Sequence, residues 1–342
     1  MTTHDRISGS QLLWLLLAGR LSNCLLLPAD SLHALTVPDL IVVTVLNAVI
    51  LLLLVWPTLF ALRGGHDNFA ARGGRVVTVG YLLLSLFVLY LDMLQFRDFA
   101  GKTAGTDFSI TLLTASLITV GFAASLYRLE ALGRTAAVVA VMGIALLLVF
   151  GALLTPRIES VNVPPAVFSG WRAVLSQTVK ELPRTAEIVA VGALYPFVNG
   201  KVGRAYVSFV GLNAVLTLFV CIVTTGVLGD FAGMTAYPFY TAVTAAGVGV
   251  LERPDIFVVA LWLGTFFVRV ALFGAIYLDH TRRLLGDKAR LPAAGVGVTL
   301  LIVLTVFTQY MDGQWRIVTY VYWGVLALFC LALPLLLYRR RV

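Results

Sequence analysis

The chain is 342 residues long, 60% hydrophobic and only 12% charged, with a net charge of +8. A soluble domain carries about 25% charged residues, so the charge here is too sparse to coat a water-facing surface. The cations lie in the gaps between apolar blocks, as membrane topology requires, and this placement excludes nucleic-acid binding as the reason for the positive balance.

Uncharged blocks occupy 41–56, 76–91, 109–127, 135–155, 205–229 and 256–268. A bilayer core about 30 Å thick takes roughly 20 apolar residues per helix. Backbone polar groups cannot stay unpaired in hydrocarbon, so each block is a helix or part of a closed barrel. Barrel strands alternate apolar and polar residues, whereas Leu51-Leu52-Leu53-Leu54-Val55-Trp56 does not. The expected class is therefore an all-α membrane protein. In chain order, helices are predicted near 9–29, 38–62, 75–97, 108–128, 133–155, 183–199, 203–229, 254–279, 292–310 and 316–338. The first apolar run lacks a basic leader and a cleavage site and is read as a retained span. The connections 156–182 and 230–253 hold Val163-Pro164-Pro165, Gly170-Trp171 and Tyr237-Pro238-Phe239-Tyr240, which suits interfacial or re-entrant helices.

With the N-terminus inside, the inner segments carry 15 Lys and Arg and the outer segments 8. That bias places both termini in the cytoplasm. The whole chain, 1–342, reads as one transmembrane domain. Ten helices divide into two sets of five, about 9–155 and 183–338, the second inverted relative to the first. Such inverted repeats with paired broken helices mark one large class of secondary transporters. The first predicted helix carries Gly19-Arg20-Leu21-Ser22-Asn23-Cys24, and the sixth carries Gly192-Ala193-Leu194-Tyr195-Pro196. Both are places where a helix can unwind and offer backbone groups to a small polar ligand. The other reading is two ordinary membrane helices that tolerate a Gly or a Pro.

Ile7-Ser8-Gly9-Ser10-Gln11, the Leu25-Leu26-Leu27-Pro28 ending, Asn162-Val163-Pro164-Pro165 followed by Gly170, and Leu251-Glu252-Arg253-Pro254-Asp255 with Trp262 and Arg269 form a spaced pattern. It resembles the spore germination protein B-subunit family (the GerAB type), within the amino acid–polyamine–organocation transporter superfamily. The resemblance implies a five-plus-five fold with broken helices 1 and 6. It implies a germinant-sensing membrane subunit in the spore inner membrane or cell membrane, beside a larger A-subunit and a lipoprotein C-subunit. The ligand it implies is a small molecule such as an amino acid. The chain departs from superfamily permeases in lacking a glycine-rich stretch before Leu25.

Charges at membrane depth cost at least about 2.5–3.5 kcal/mol on insertion scales and are functional candidates by default. Arg20, Asp92, Glu187 and Arg269 fall on predicted helices 1, 3, 6 and 8, which surround the central site in the superfamily fold. Arg269 is expected either as a fixed cation against helix 1 or in an ion pair with Asp92 or Glu187. Arg20 would meet a ligand carboxylate, since Arg forms bidentate pairs with carboxylates, or would pair with Asp92. Asp92 could instead sit near the outer surface with Arg97 and Asp98. The candidate ligand-binding set is Gly19, Arg20, Ser22, Asn23, Tyr90, Gly192, Ala193 and Tyr195, with Arg269, Asp92 and Glu187 as a polar network. His4, His33, His66 and His280 are expected in loops or at helix ends, with no metal constellation. Neither a cofactor nor a catalytic set is implied. The alternative function is a sodium-independent, proton-coupled amino-acid permease; a structural anchor for partners is a third.

Overall fold

The computed structural model describes residues 6–25, 35–62, 69–103, 109–163, 168–181, 185–245 and 254–308, with 324–325, 328–329 and 333–334. In chain order its α-helices are α1 (Gly9–Leu25), α2 (Val37–Leu62), α3 (Phe69–Thr103), α4 (Ile110–Ser125), α5 (Leu129–Leu154) and α6 (Trp171–Glu181). There follow α7 (Glu187–Leu194), α8 (Val202–Leu228), α9 (Pro238–Ala245), α10 (Asp255–Leu285) and α11 (Arg290–Phe307). Among the described residues, six helical stretches are long and apolar enough to cross a bilayer: Val37–Leu62, Gly74–Thr103, Leu129–Arg157, Val202–Met234, Asp255–Leu285 and Asp287–Phe307. Ile110–Ser125 and Glu187–Phe197 are shorter apolar helices. The chain is a multi-pass membrane protein. The tenth predicted helix, 316–338, lies almost wholly outside the described residues.

Local chemistry sets the helix ends. The Ser8 hydroxyl accepts from the Gln11 N–H at 3.1 Å, and the Gln11 side chain accepts from the Ser8 N–H at 2.8 Å. This is a reciprocal capping box at the start of α1. The Ile7-to-Gln11 stretch therefore has a mechanical role. It also forms a short strand, β1 (Ile7–Ser8), paired in parallel with β2 (Val198–Asn199) beyond α7. Asp39 does similar work for α2. It accepts from the Thr36 N–H and hydroxyl, both at 2.8 Å, and from the Ser169 N–H at 3.1 Å and hydroxyl at 2.7 Å. One buried carboxylate thus caps α2 and ties it to the segment before α6. Within the bilayer, many hydroxyls bond back to the carbonyl four residues earlier, as Ser85 does to Tyr81 and Thr281 to Tyr277, which satisfies them without water.

Among the described residues three helical stretches are buried on every side, one of them the whole of α7. Residues 15–25 of α1 and 268–281 of α10 are continuously buried, the pattern of helices at the middle of a bundle. α10 packs on α1, α3, α4 and α5. Gly121 makes the α4 contact possible, because a Cβ there would lie 2.4 Å from Val270 Cγ1. Small residues let membrane helices approach at backbone distance. By contrast, α2 shows Val45, Val49, Leu53 and Trp56 outward, an apolar stripe suited to lipid.

The connections predicted as interfacial hold short helices, α6 and α9, with 3-10 turns at Thr155–Arg157, Ser160–Asn162 and Gly229–Met234. The break expected inside the first helix at residues 19–24 is not there. α1 is regular through Leu25, because a stretch with one glycine keeps its intrahelical bonds. The sixth predicted helix is also different. It begins at Glu187, runs unbroken through Gly192 and Ala193, and ends at Leu194. Pro196 then closes it as a 3-10 turn, Tyr195–Phe197. Upstream, α6 ends at Glu181, and Thr185 and Ala186 lie outside the helix just before Glu187.

Candidate functional site

Four elements meet at Arg269, in the middle of α10. Its Nε donates to Asp92 Oδ2 of α3 at 2.6 Å. Its Nη1 donates to Glu187 Oε1 in the first turn of α7 and, at 3.1 Å, to the carbonyl of Gly19 in α1. The three side chains are 3%, 7% and 2% exposed. The arginine stem packs directly on Gly19, where a Cβ would meet Arg269 Cβ at an ordinary contact distance of 3.9 Å. The Gly19 carbonyl accepts a further bond from the Ser22 hydroxyl at 2.9 Å. The two readings of Arg269 therefore merge: it is ion-paired with both carboxylates and also grips the α1 backbone. Glu187 keeps one oxygen, Oε2, buried and without a hydrogen-bond partner among the described residues. Asp92 belongs to this cluster and not to the surface group, where Asp98 instead pairs with Lys102 at 2.7 Å.

One residue on from Gly19, Arg20 lines a polar cleft. Each neighbouring helix gives the cleft a single face. α2 supplies Leu40, Val43, Thr44, Asn47, Ala48 and Leu51, and α8 supplies Val210, Asn213, Ala214, Thr217 and Cys221. α6 adds Gln177 and Glu181, with Thr185 from the α6–α7 connection. The steps of three and four residues are those of one helical stripe. The empty space is about 600 Å³, mouth included. Asn47 Oδ1 is buried with no hydrogen-bond partner among the described residues. Cys24 bridges α1 to α8, with Sγ 3.4 Å from Asn213 Oδ1 and 3.3 Å from Thr217 Oγ1. Gln177 Nε2 donates to Glu181 Oε1 at 3.1 Å. Among the described residues the cleft carries one cation, one anion and several amides and hydroxyls, so it suits a small polar ligand.

The expected ligand set is only partly gathered. Arg20 faces the cleft, while Gly19 and Ser22 belong to the Arg269 node and Asn23 is buried in α1. Tyr90 is half-buried beside Phe87, with ring centroids 6.3 Å apart. Gly192 and Ala193 are buried within α7, and Tyr195 lines a separate hollow with Trp56 and Lys201. Residue-type reasoning missed Asn47, Asn213, Gln177 and Glu181. The signal was present for the first two, as lone amides inside apolar blocks. Gln177 and Glu181 lay in a stretch read as a connection.

His280 also differs from its expected place at a helix end. α10 runs on to Leu285, so the imidazole is buried, stacked on Tyr81 at 5.1 Å and bonded through Nδ1 to the Ile276 carbonyl at 2.7 Å. His4, His33 and His66 lie outside the described residues. Among the described residues, no group of three or more His, Cys, Asp or Glu side chains is placed to hold a metal ion.

Residues 74–314, well over half the chain, match the sequence profile of the spore germination protein (spore permease) family. The chain belongs to that family. The profile covers Asp92, Glu187 and Arg269 but begins after α1 and α2. A solved structure with a similar fold is Mhp1, a nucleobase–cation–symport-1 family transporter in a closed conformation with bromovinylhydantoin bound. It aligns with a TM-score of 0.63 over 96% of this chain and 78% of its own, at 14% identity. At that identity the likeness shows the fold alone: this spore germination family member has a transporter fold of the amino acid–polyamine–organocation type. Comparison with curated proteins finds no match.

Proposed function

We propose that this chain is the germinant-sensing membrane subunit of a spore germination receptor and binds a small molecule such as an amino acid in the cleft beside Arg20. One observation carries the reading. The residue that lines the cleft, Arg20, adjoins the residue that the buried ion cluster holds, Gly19. A ligand that shifts α1 at Arg20 pulls on Gly19, and so on α3, α7 and α10 through Arg269. The family match and the transporter fold support this use of the scaffold, although fold alone does not assign function.

In this reading the two halves, about 9–155 and 183–338, form a five-plus-five inverted repeat, with α6 and α7 as the two pieces of a broken sixth helix. Both termini face the cytoplasm of the spore inner membrane. The A-subunit and the lipoprotein C-subunit receive the movement.

The experiment is a thermal-shift screen of the purified chain against amino acids. A ligand at 100 times its Kd stabilises by about 2.7 kcal/mol. At least one amino acid is expected to raise the Tm, and Arg20→Gln is expected to remove the rise. A full panel with no effect overturns the reading. A second reading, a proton-coupled amino-acid permease, draws on Glu187 Oε2, which is buried without a hydrogen-bond partner among the described residues. Accumulation of labelled amino acid in proteoliposomes would favour it; a sensor binds without net uptake.

A further inference from the structure

The end of the bundle where α1 begins carries a second hollow, separate from the Arg20 cleft. It lies between the last turns of α2 and the first turn of α8. Trp56, Leu59, Phe60, Tyr195, Lys201 and Arg204 line it, and its empty space is about 1080 Å³, mouth included. The local chain builds it deliberately. Pro196 ends α7, β2 pairs with β1, and Gly200 turns the chain into α8 with φ +120°, a value that favours glycine. At Gly203, α8 packs on α2, and a Cβ there would meet Leu59 Cδ1 at an ordinary contact distance of 3.5 Å.

Among the described residues, the lining holds two cations and no acid. Lys201 and Arg204 are exposed, and neither side chain has an ion-pair partner among the described residues. A third cation, Arg6, is held nearby through Asn199 Oδ1 at 3.4 Å. Beside the cations, Trp56 is 68% and Phe60 43% exposed on the outward side of α2. Tryptophan on a spanning helix next to basic residues marks the level of the lipid headgroups. A small soluble anion would satisfy the cations but leave the exposed Trp56 ring in water. A molecule with both a phosphate and hydrocarbon satisfies the whole surface.

We propose that this hollow binds the headgroup of an anionic phospholipid. Lys201 and Arg204 hold the phosphate, and Trp56 and Phe60 lie along the first carbons of the acyl chains. The hollow includes Tyr195, just past the end of α7, whose other end carries Glu187, so a bound headgroup braces the short helix that reaches the ion cluster. The site is independent of the small-molecule reading.

The test is native mass spectrometry of the full chain released from mixed phosphatidylcholine and phosphatidylglycerol nanodiscs. A basic residue close to an anionic surface is worth roughly five-fold in affinity. The wild type is expected to retain phosphatidylglycerol well above its bulk fraction, and K201Q/R204Q to lose about twenty-five-fold in that preference. The variants K201Q and R204Q are each expected to lose about five-fold, so the test survives if the double variant does not fold. Lys288→Gln, at another loop, is expected to leave retention unchanged. No enrichment in the wild type, or full enrichment in the folded double variant, overturns the site. So does inorganic phosphate that stabilises the detergent-solubilised chain as well as phosphatidylglycerol does, because the ligand is then a free anion.

Discussion

The Arg269 node and the Arg20 cleft sit on consecutive residues of α1 yet are built to opposite ends. The node is dry and closely paired: one guanidinium meets two carboxylates and a backbone carbonyl. The cleft is open and only partly bonded, with the Asn47 carbonyl oxygen lacking a partner among the described residues. A closed set of charges makes a rigid joint, because removing its shared cation leaves two buried carboxylates unpaired. An open set of dipoles makes a receptor, because its hydrogen bonds are still to be made. What separates them is charge pairing: the node sets one cation between two carboxylates, while the cleft presents mostly amides and hydroxyls, and each site keeps one buried oxygen without a partner among the described residues.

The sharpest way to break this contrast is Arg269→Gln. It leaves Asp92 and Glu187 buried without their cation and should cost about 3–5 kcal/mol, read as thermal unfolding in detergent. Stability within about 1 kcal/mol of wild type would mean that the node is not a joint. The companion is the triple variant Arg269→Gln, Asp92→Asn, Glu187→Gln. It removes the charges together and should recover most of that loss, while the germination response stays absent because Gly19 is no longer gripped.

Asp39→Ala comes next. It removes four hydrogen bonds made to one buried carboxylate and should cost about 1–3 kcal/mol by the same unfolding measurement. The cleft should behave differently. Asn47→Leu or Asn213→Leu should change stability by less than about 1 kcal/mol and yet weaken ligand binding about ten-fold or more, measured by titration of the amino acid found in the screen. A large stability loss with unchanged affinity would merge the cleft with the node. The smallest effect belongs to Arg134→Ala, which breaks an exposed pair with Glu130 at 2.6 Å and should shift stability by less than about 0.5 kcal/mol.

Much of the fold was legible from hydropathy. The helices expected at 38–62, 133–155 and 203–229 lie within a few residues of Val37–Leu62, Leu129–Leu154 and Val202–Leu228. The four membrane-depth charges were also legible, because each interrupts an apolar run. The continuity of α1 was not, since a Gly-Arg-Leu-Ser-Asn stretch is compatible with helix or break and only its neighbours decide. α6 was not legible either: Trp171–Glu181 is too polar and too short to stand out as a span, and its role as a cleft wall comes from packing on α2.

Sequence by itself determined that this chain lives in a bilayer, where several of its spans fall and which four charges were candidates for membrane depth, because those properties are sums over neighbouring residues. Only the tertiary structure decided that Arg269 takes both carboxylates, that Asn47 and Asn213 face one cleft, and that Tyr195 belongs to a different hollow. Those are relations between side chains as many as 250 residues apart in sequence, and they exist only once helix packing has fixed which face of each helix meets which.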